Sequence, residues 1–115
     1  MEEAREPRGV HNPKVVDLIS HDRERGEVVL LMLEQRVWGS APGQLRQLEE
    51  KFNGYLSYVL DGFLVEQFPQ YKDLPVCFRL DCAGPPGDEE RRMLEAMKGF
   101  AATHDIRFEV GVIQR

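Results

Sequence analysis

The chain has 115 residues, a formal net charge of −5 and hydrophobic residues at 42% of its positions. This length is typical of one domain, and the apolar content is sufficient for a core without disulfides or a structural metal. The acidic balance argues against nucleic acid and anionic membranes as partners, because both attract basic surfaces. The longest apolar run, residues 28–33, is far shorter than a membrane span of about 20 residues.

The N-terminal sequence and the two cysteines favour a cytoplasmic location. Residues 1–8 are charged and contain no apolar stretch typical of a secretory signal. Residues 1–12 are predicted to form a flexible tail, and residues 13–115 to form a single domain. Cys77 and Cys82 are five positions apart on a predicted strand, so their side chains should point to opposite faces. They are therefore not expected to form a disulfide with each other, and free thiols suit a reducing compartment.

Strand and helix periodicities alternate along the chain in the order ββαβαβ. Strand-like runs occupy residues 15–20, 27–35, 75–82 and 106–113, and helix-like runs occupy residues 44–61 and 88–103. The last two strands alternate strictly between apolar and polar side chains, which indicates one buried and one polar face. The order predicts an α+β fold: a two-layer sandwich in which a mixed four-stranded sheet carries two helices on one face.

The first helix and the second strand carry the strongest apolar patterns. Apolar residues recur at helical spacing and predict the buried stripe of the helix. They are Leu45, Leu48, Phe52, Tyr55, Leu56, Val59, Leu60 and Phe63. The helix either closes at Gly62 or continues with a bend towards Pro69. Residues 28–33 are apolar at every position, which predicts a strand that is covered on both faces or keeps one face for a partner.

Four charged residues share the polar face of the last two strands: Arg79, Asp81, Arg107 and Glu109. They have two interpretations. They form a binding site built from charge pairs, or they form a solvated face with cross-strand ion pairs, and the second arrangement is the commoner one in proteins.

Three aromatic residues complete the candidate interaction surface: Trp38, Tyr58 and Tyr71. Tyr58 lies off the helical stripe and Trp38 follows a strand beside Gly39, positions at which aromatics often anchor partners. The alternative is that Trp38 covers the edge of the core and Tyr71 covers the end of the helix.

No recognised catalytic, cofactor or metal motif is found in the sequence. His11, His21 and His104 lack the spacing of a zinc site. The Gly- and Pro-rich turn at residues 83–88 precedes Asp88 and two glutamates, whose charge would repel a phosphate at the helix N-terminus. We therefore expect no cofactor and no bound metal, and we assign no catalytic residue.

Part of the chain resembles a family of small prokaryotic domains of unknown function. The similar segments are Val16-Asp17-Leu18-Ile19, the second strand through Trp38, Lys51-Phe52-Asn53-Gly54-Tyr55-Leu56, Asp61-Gly62 and Phe68-Pro69. The resemblance covers about residues 15–80. At two positions the chain departs from the family pattern: Phe52 replaces an aliphatic residue and Phe68 replaces Tyr. The resemblance implies a bacterial or archaeal intracellular origin without a known activity, and it favours Lys51, Asn53 and Tyr55 as more than surface positions.

These observations leave three hypotheses for the function. The leading one is a non-catalytic interaction domain that associates with a protein partner or with itself as a homodimer, because one face of residues 28–33 lacks a cover. The second is a small enzyme or ligand-binding domain with a pocket near Trp38, Tyr55, Asp81 and His104. The third is a stoichiometric inhibitor that presents acidic residues to a basic target protein.

Overall fold

A computed structural model describes residues 8–12 and 15–113. Its sheet contains β1 (Leu18–Asp22), β2 (Glu27–Glu34), β3 (Val76–Cys82) and β4 (Ile106–Val112), which lie side by side in chain order. Strands β1 and β2 are antiparallel, whereas β2, β3 and β4 are parallel. The predicted α+β fold with a mixed four-stranded sheet is confirmed.

Helices α1 (Gln44–Leu60) and α3 (Asp88–Ala102) pack on the same face of the sheet, as predicted. The ring of Phe52 lies edge-on to Phe78 and Phe108, with centroids 6.0 and 5.8 Å away. Leu94 and Met97 of α3 join the same core. None of the helices in the described part of the chain has the length and apolar character needed to span a bilayer.

The first helix ends close to Gly62, where the backbone turns to a φ of 89° and a short helix α2 (Phe63–Gln67) begins. Glycine adopts this left-handed conformation without a steric penalty. The turn redirects the chain, so Leu64 enters the core at 2% exposure. Leu60 and Phe63, which we predicted to be in the buried stripe, are about half exposed; that part of the prediction is wrong. A 3-10 turn (Pro69–Tyr71) follows α2.

The first strand begins three residues later than predicted, because the preceding backbone has other partners. The Val15 carbonyl accepts a hydrogen bond from Lys51 Nζ at 2.6 Å. At Leu33 of β2, where a longer β1 would have paired, the N–H donates to the Asp17 carboxylate at 2.9 Å and the carbonyl accepts the Val10 N–H at 2.8 Å. These contacts satisfy the edge of β2 in place of strand pairing.

The N-terminal segment is packed against the sheet from Gly9 onwards. Residues 1–7 of the predicted flexible tail lie outside the described part of the chain. For residues 9–12 the prediction is wrong: Val10 is 1% exposed in the core, and the carbonyls of Gly9 and Asn12 accept hydrogen bonds from Lys51 Nζ at 2.9 and 2.7 Å. An apolar anchor and a buried ammonium hold this segment in place.

Asp17, Lys51 and Tyr55 form a buried polar cluster between this segment, α1 and β2. Lys51 Nζ lies 2.7 Å from Asp17 Oδ1, and both side chains are fully buried. The Tyr55 hydroxyl donates to the Leu31 carbonyl at 2.5 Å and accepts the Asp17 N–H at 2.9 Å. Burial lowers the pKa of Lys51, while Asp17 opposes this shift. The cluster is compatible with burial because its ionised groups are paired and hydrogen-bonded.

We predict that Lys51→Met destabilises the fold by about 3–5 kcal/mol, because it leaves the Asp17 carboxylate buried without its counter-ion. Urea unfolding followed by circular dichroism measures the loss. The matched control is Lys72→Met, since Lys72 is exposed and the same atoms are exchanged. Equal stability of the two variants would contradict a structural role for the cluster.

Candidate functional site

Alternate side chains of each strand point away from the helices, to the other face of the sheet. No helix of the described residues covers this face. We call it the helix-free face. Its strands contribute Leu18 and Ser20 from β1, Glu27, Val29, Leu31 and Leu33 from β2, Cys77, Arg79 and Asp81 from β3, and Arg107, Glu109 and Gly111 from β4.

Five charged residues on this face form one continuous series of ion pairs, which we call the ion-pair ladder. Arg107 binds both carboxylate oxygens of Glu27, at 2.9 and 2.7 Å, and also binds Glu109 at 2.7 Å. Glu109 in turn accepts from Arg79 at 2.7 Å, and the Arg79 Nε donates to Asp81 at 2.7 Å. Charges of opposite sign therefore alternate along the ladder from Glu27 to Asp81.

The ladder holds its members in their ionised forms. Hydrogen bonds from Arg107 lower the pKa of Glu27, and hydrogen bonds from Arg107 and Arg79 lower the pKa of Glu109. The same contacts raise the pKa of both arginines. A general acid or base works best with a pKa near the ambient pH, so these shifts move the ladder away from proton transfer.

The structure brings together the four charged residues of the predicted surface, Arg79, Asp81, Arg107 and Glu109, and adds Glu27, which the sequence analysis missed. Glu27 and Arg107 are 80 positions apart, and their contact passes over β3. The available signal was parity: Glu27 lies two positions before Val29, so the two side chains share a face of the strand. Parity predicts the contact of Glu27 with Arg107 only when the order of the strands is also known.

Beside the ladder lies an aliphatic row formed by Leu18, Val29, Leu31 and Leu33. Leu18 is 47% exposed and the other three are half-buried. Cys77 lies in register between Val29 of the row and Arg107 of the ladder. The helix-free face thus has an apolar part on β1 and β2 and a charged part on β3 and β4, which extends to Glu27 at the start of β2.

The two cysteines are free and buried, and they point to opposite faces as predicted. Cys82 packs in the core beneath the helices, whereas Cys77 belongs to the helix-free face. Burial raises the pKa of Cys77 to about 11 and that of Cys82 to about 12. Both side chains therefore remain thiols at neutral pH, whereas a nucleophilic cysteine requires the thiolate.

The three aromatic residues of the predicted surface lie elsewhere, against the core on the helix side. The Trp38 indole N–H donates to the Gly84 carbonyl at 3.1 Å, and Tyr71 stacks on Phe68 with ring centroids 5.5 Å apart. Trp38, Tyr58 and Tyr71 are all partly buried against the core. The structure does not bring these aromatics together with the ion-pair ladder. Trp38 and Tyr71 pack against the core, as in the alternative stated for these two residues.

The four residues suggested for an enzyme pocket have separate surroundings. Tyr55 belongs to the buried polar cluster, Asp81 to the ladder, and Trp38 to the loop that follows β2. His104 lies edge-on to Phe100 beyond the end of α3, with ring centroids 5.2 Å apart. They do not converge on one site.

Glu34 is a further buried carboxylate, 1% exposed, that the sequence analysis did not single out. Burial would raise its pKa, but hydrogen bonds from Arg36 Nε and Nη2 at 2.9 and 2.8 Å outweigh that effect and lower it. Across the described ranges, no group of three or more His, Cys, Asp or Glu side chains is arranged to hold a metal ion.

Residues 8–114 match the sequence model of a family described as "Family of unknown function (DUF6572)". The chain belongs to this family. No curated protein and no solved structure matched the chain. The predicted resemblance to a family of unknown function is confirmed, and the family description states no activity. Arguments about function therefore depend on the surfaces described above.

We predict that the contribution of Glu27 to stability disappears in acid. The pKa of its carboxyl is below 4.5 in the folded state, so the unfolded chain takes up the proton first as the pH falls. The Arg107 contact therefore stabilises the fold fully above pH 4.5 and is lost as the pH falls through the lowered pKa. The difference in unfolding free energy between the wild type and Glu27→Gln should narrow as the pH falls below about 4.5 and through the lowered pKa.

Chemical denaturation at each pH measures this difference. Glu50→Gln removes a carboxylate from an exposed position on α1 and serves as the control for the change in net charge. A difference between the wild type and Glu27→Gln that stays constant with pH would show that the Arg107 contact does not stabilise the folded state.

Proposed function

We propose that this chain is a non-catalytic interaction domain that self-associates by packing the helix-free face of its sheet against that of a second copy. The observation that carries the proposal is the aliphatic row of Leu18, Val29, Leu31 and Leu33, which is partly exposed on a face without a helix. In such a contact the row of one copy packs on the row of the other, with the two sheets about 10 Å apart.

The direction of the strands supports this proposal. Parallel strands are usually covered on both faces, and a strand covered on both faces is apolar at nearly every position. Strands β2, β3 and β4 are parallel, and β2 is apolar from Val28 to Leu33, yet α1 and α3 cover one face. A second copy would supply the cover that β2 lacks.

The ion-pair ladder supports a binding role at the same face. Its three carboxylates and two guanidiniums neutralise most of one another's charge, and it borders the aliphatic row as a polar rim borders the apolar centre of an interface. Paired charges at a rim favour correct alignment more than affinity. The lowered pKa values of the glutamates and the raised pKa values of the thiols favour binding over acid–base or nucleophilic chemistry.

We further propose that the domain acts in the cytoplasm and that its partners are proteins. Two free, buried cysteines support a reducing compartment. The net charge of −5 argues against nucleic acid as a partner, because binding to phosphates requires a basic surface.

Leu31→Lys tests the self-association, because it places a charge at the centre of the aliphatic row while leaving the hydrogen bond from Tyr55 to the Leu31 carbonyl. We expect the variant to weaken the face-to-face contact by at least about tenfold, or about 1.4 kcal/mol, in sedimentation velocity over a concentration series. Its circular dichroism spectrum and thermal unfolding should stay close to those of the wild type.

Ser57→Lys is the matched control, because it adds the same charge to an exposed position on α1. It should associate like the wild type. If Leu31→Lys also sediments like the wild type at every concentration, the aliphatic row is not a contact between copies, and the proposal fails.

A further inference from the structure

Strand β4 forms an edge of the sheet, and no described residue pairs with its outer side. The Ile113 N–H donates to the Cys82 carbonyl at 2.7 Å, which fixes the alternation of backbone groups along the strand. Odd-numbered residues of β4 bond to β3, so the N–H and C=O groups of Phe108, Val110 and Val112 point outwards. A row of free backbone donors and acceptors of this kind is a template for another strand.

The side chains of this edge do not oppose such pairing. Val110 and Val112 are 38% and 42% exposed. An open groove of about 450 Å³ runs beside the edge and is lined by Leu94 and Lys98 of α3 together with β4. Proteins usually protect exposed edges with Pro, charged residues or a bulge. Strand β4 contains no Pro and pairs without a bulge, and its two charged residues, Arg107 and Glu109, are already held in the ion-pair ladder.

We propose that β4 pairs antiparallel with β4 of a second copy around a two-fold axis at Val110, which joins two four-stranded sheets into one. Val110 then lies opposite the partner's Val110, and Phe108 lies opposite the partner's Val112. All of these residues point their backbone groups outwards, as a hydrogen-bonded antiparallel pair requires. In this register the exposed Val110 side chains cover each other, and each exposed Val112 lies opposite the partner's Phe108.

The charges of the helix-free face also fit this register. Glu109 lies opposite the partner's Gly111, in a non-hydrogen-bonded position where the side chains come closest. A Cβ atom at Gly111 would lie only 2.1 Å from Arg79 Nη2 and 3.1 Å from Asp81 Oδ1, so the Arg79 guanidinium lies over this glycine with its paired Asp81 carboxylate beside it. Each Glu109 would therefore approach the partner's Arg79–Asp81 pair on the side where the guanidinium is the nearer group, and this happens twice across the axis.

Registers centred nearer the N-terminus of β4 are less favourable. An axis at Glu109 places the two Glu109 carboxylates directly opposite each other, which is destabilising. An axis at Phe108 places Val112 opposite His104, beside Asp105, whose φ of 60° interrupts the extended backbone. That register also centres on Phe108, which is already buried in the core at 3% exposure. It leaves the exposed Val112 without a strand partner.

This contact is independent of the face-to-face contact proposed above. Its two-fold axis is perpendicular to the sheet, so both helix-free faces stay on the same side of the joined sheet. The edge contact is therefore tested in Leu31→Lys chains, in which the face-to-face contact is weakened. A failure of one proposal is then distinguishable from a failure of the other.

The test compares Val110→Pro with Val110→Thr in the Leu31→Lys background. Proline removes the outward N–H of Val110 and preserves the bonds from β4 to β3, whereas threonine keeps the N–H and the branched shape. We expect Leu31→Lys and its Val110→Thr derivative to sediment as dimers at high concentration. The Val110→Pro derivative should dissociate at least about tenfold more readily.

Hydrogen exchange provides a second measurement, specific to the register. The amides of Phe108, Val110 and Val112 should be protected in the Leu31→Lys dimer and should exchange rapidly on dilution. If Val110→Pro perturbs the fold, Val110→Lys replaces it as the disrupting variant. A Leu31→Lys chain that stays monomeric at high concentration, or that dimerises with these three amides unprotected, would overturn the edge pairing.

Discussion

The buried contact between Lys51 and Asp17 connects the parts of this fold that the sheet alone would leave separate. The ammonium of Lys51 lies within 2.9 Å of the carbonyls of Gly9, Asn12 and Val15 as well as the Asp17 carboxylate. A buried charge is costly unless such partners are supplied, so the N-terminal segment and α1 depend on each other. The same carboxylate caps the edge of β2 at Leu33 and thereby fixes where β1 begins.

The fold was largely predictable because its periodicities are local. Alternation along β3 and β4 predicted their two faces, and the stripe along α1 predicted the helix that packs on them. The buried polar cluster was not predicted, because hydropathy places lysine at the surface. A positional signal existed: Lys51 lies three residues after Leu48 and four before Tyr55, within the apolar stripe. The family resemblance marked Lys51, Tyr55 and Asn53 alike, yet Asn53 is exposed.

The candidate site was predictable where it depends only on which residues of one strand share a face. Arg79 and Arg107 share a face because they alternate with apolar neighbours, but the contact of Arg107 with Glu27 depends on the order of three strands. The aromatics were harder to assign, since a residue outside the helical stripe still becomes partly buried where loops extend the core. Trp38, for example, donates a hydrogen bond to the Gly84 carbonyl in the turn after β3. The two residues are 46 positions apart, so no local pattern encodes this contact.

The uncovered surfaces of the sheet have a common origin in its topology. Both parallel crossovers place their helices, α1 and α3, on one side, so the opposite face of β2 keeps apolar side chains that no helix of the described residues covers. The same connections end the sheet at β4, whose outer backbone groups have no strand partner among the described residues. The ion-pair ladder crosses β2, β3 and β4 between these two surfaces and neutralises most of its own charge. The proposed contacts between copies would therefore meet little net charge from the ladder itself.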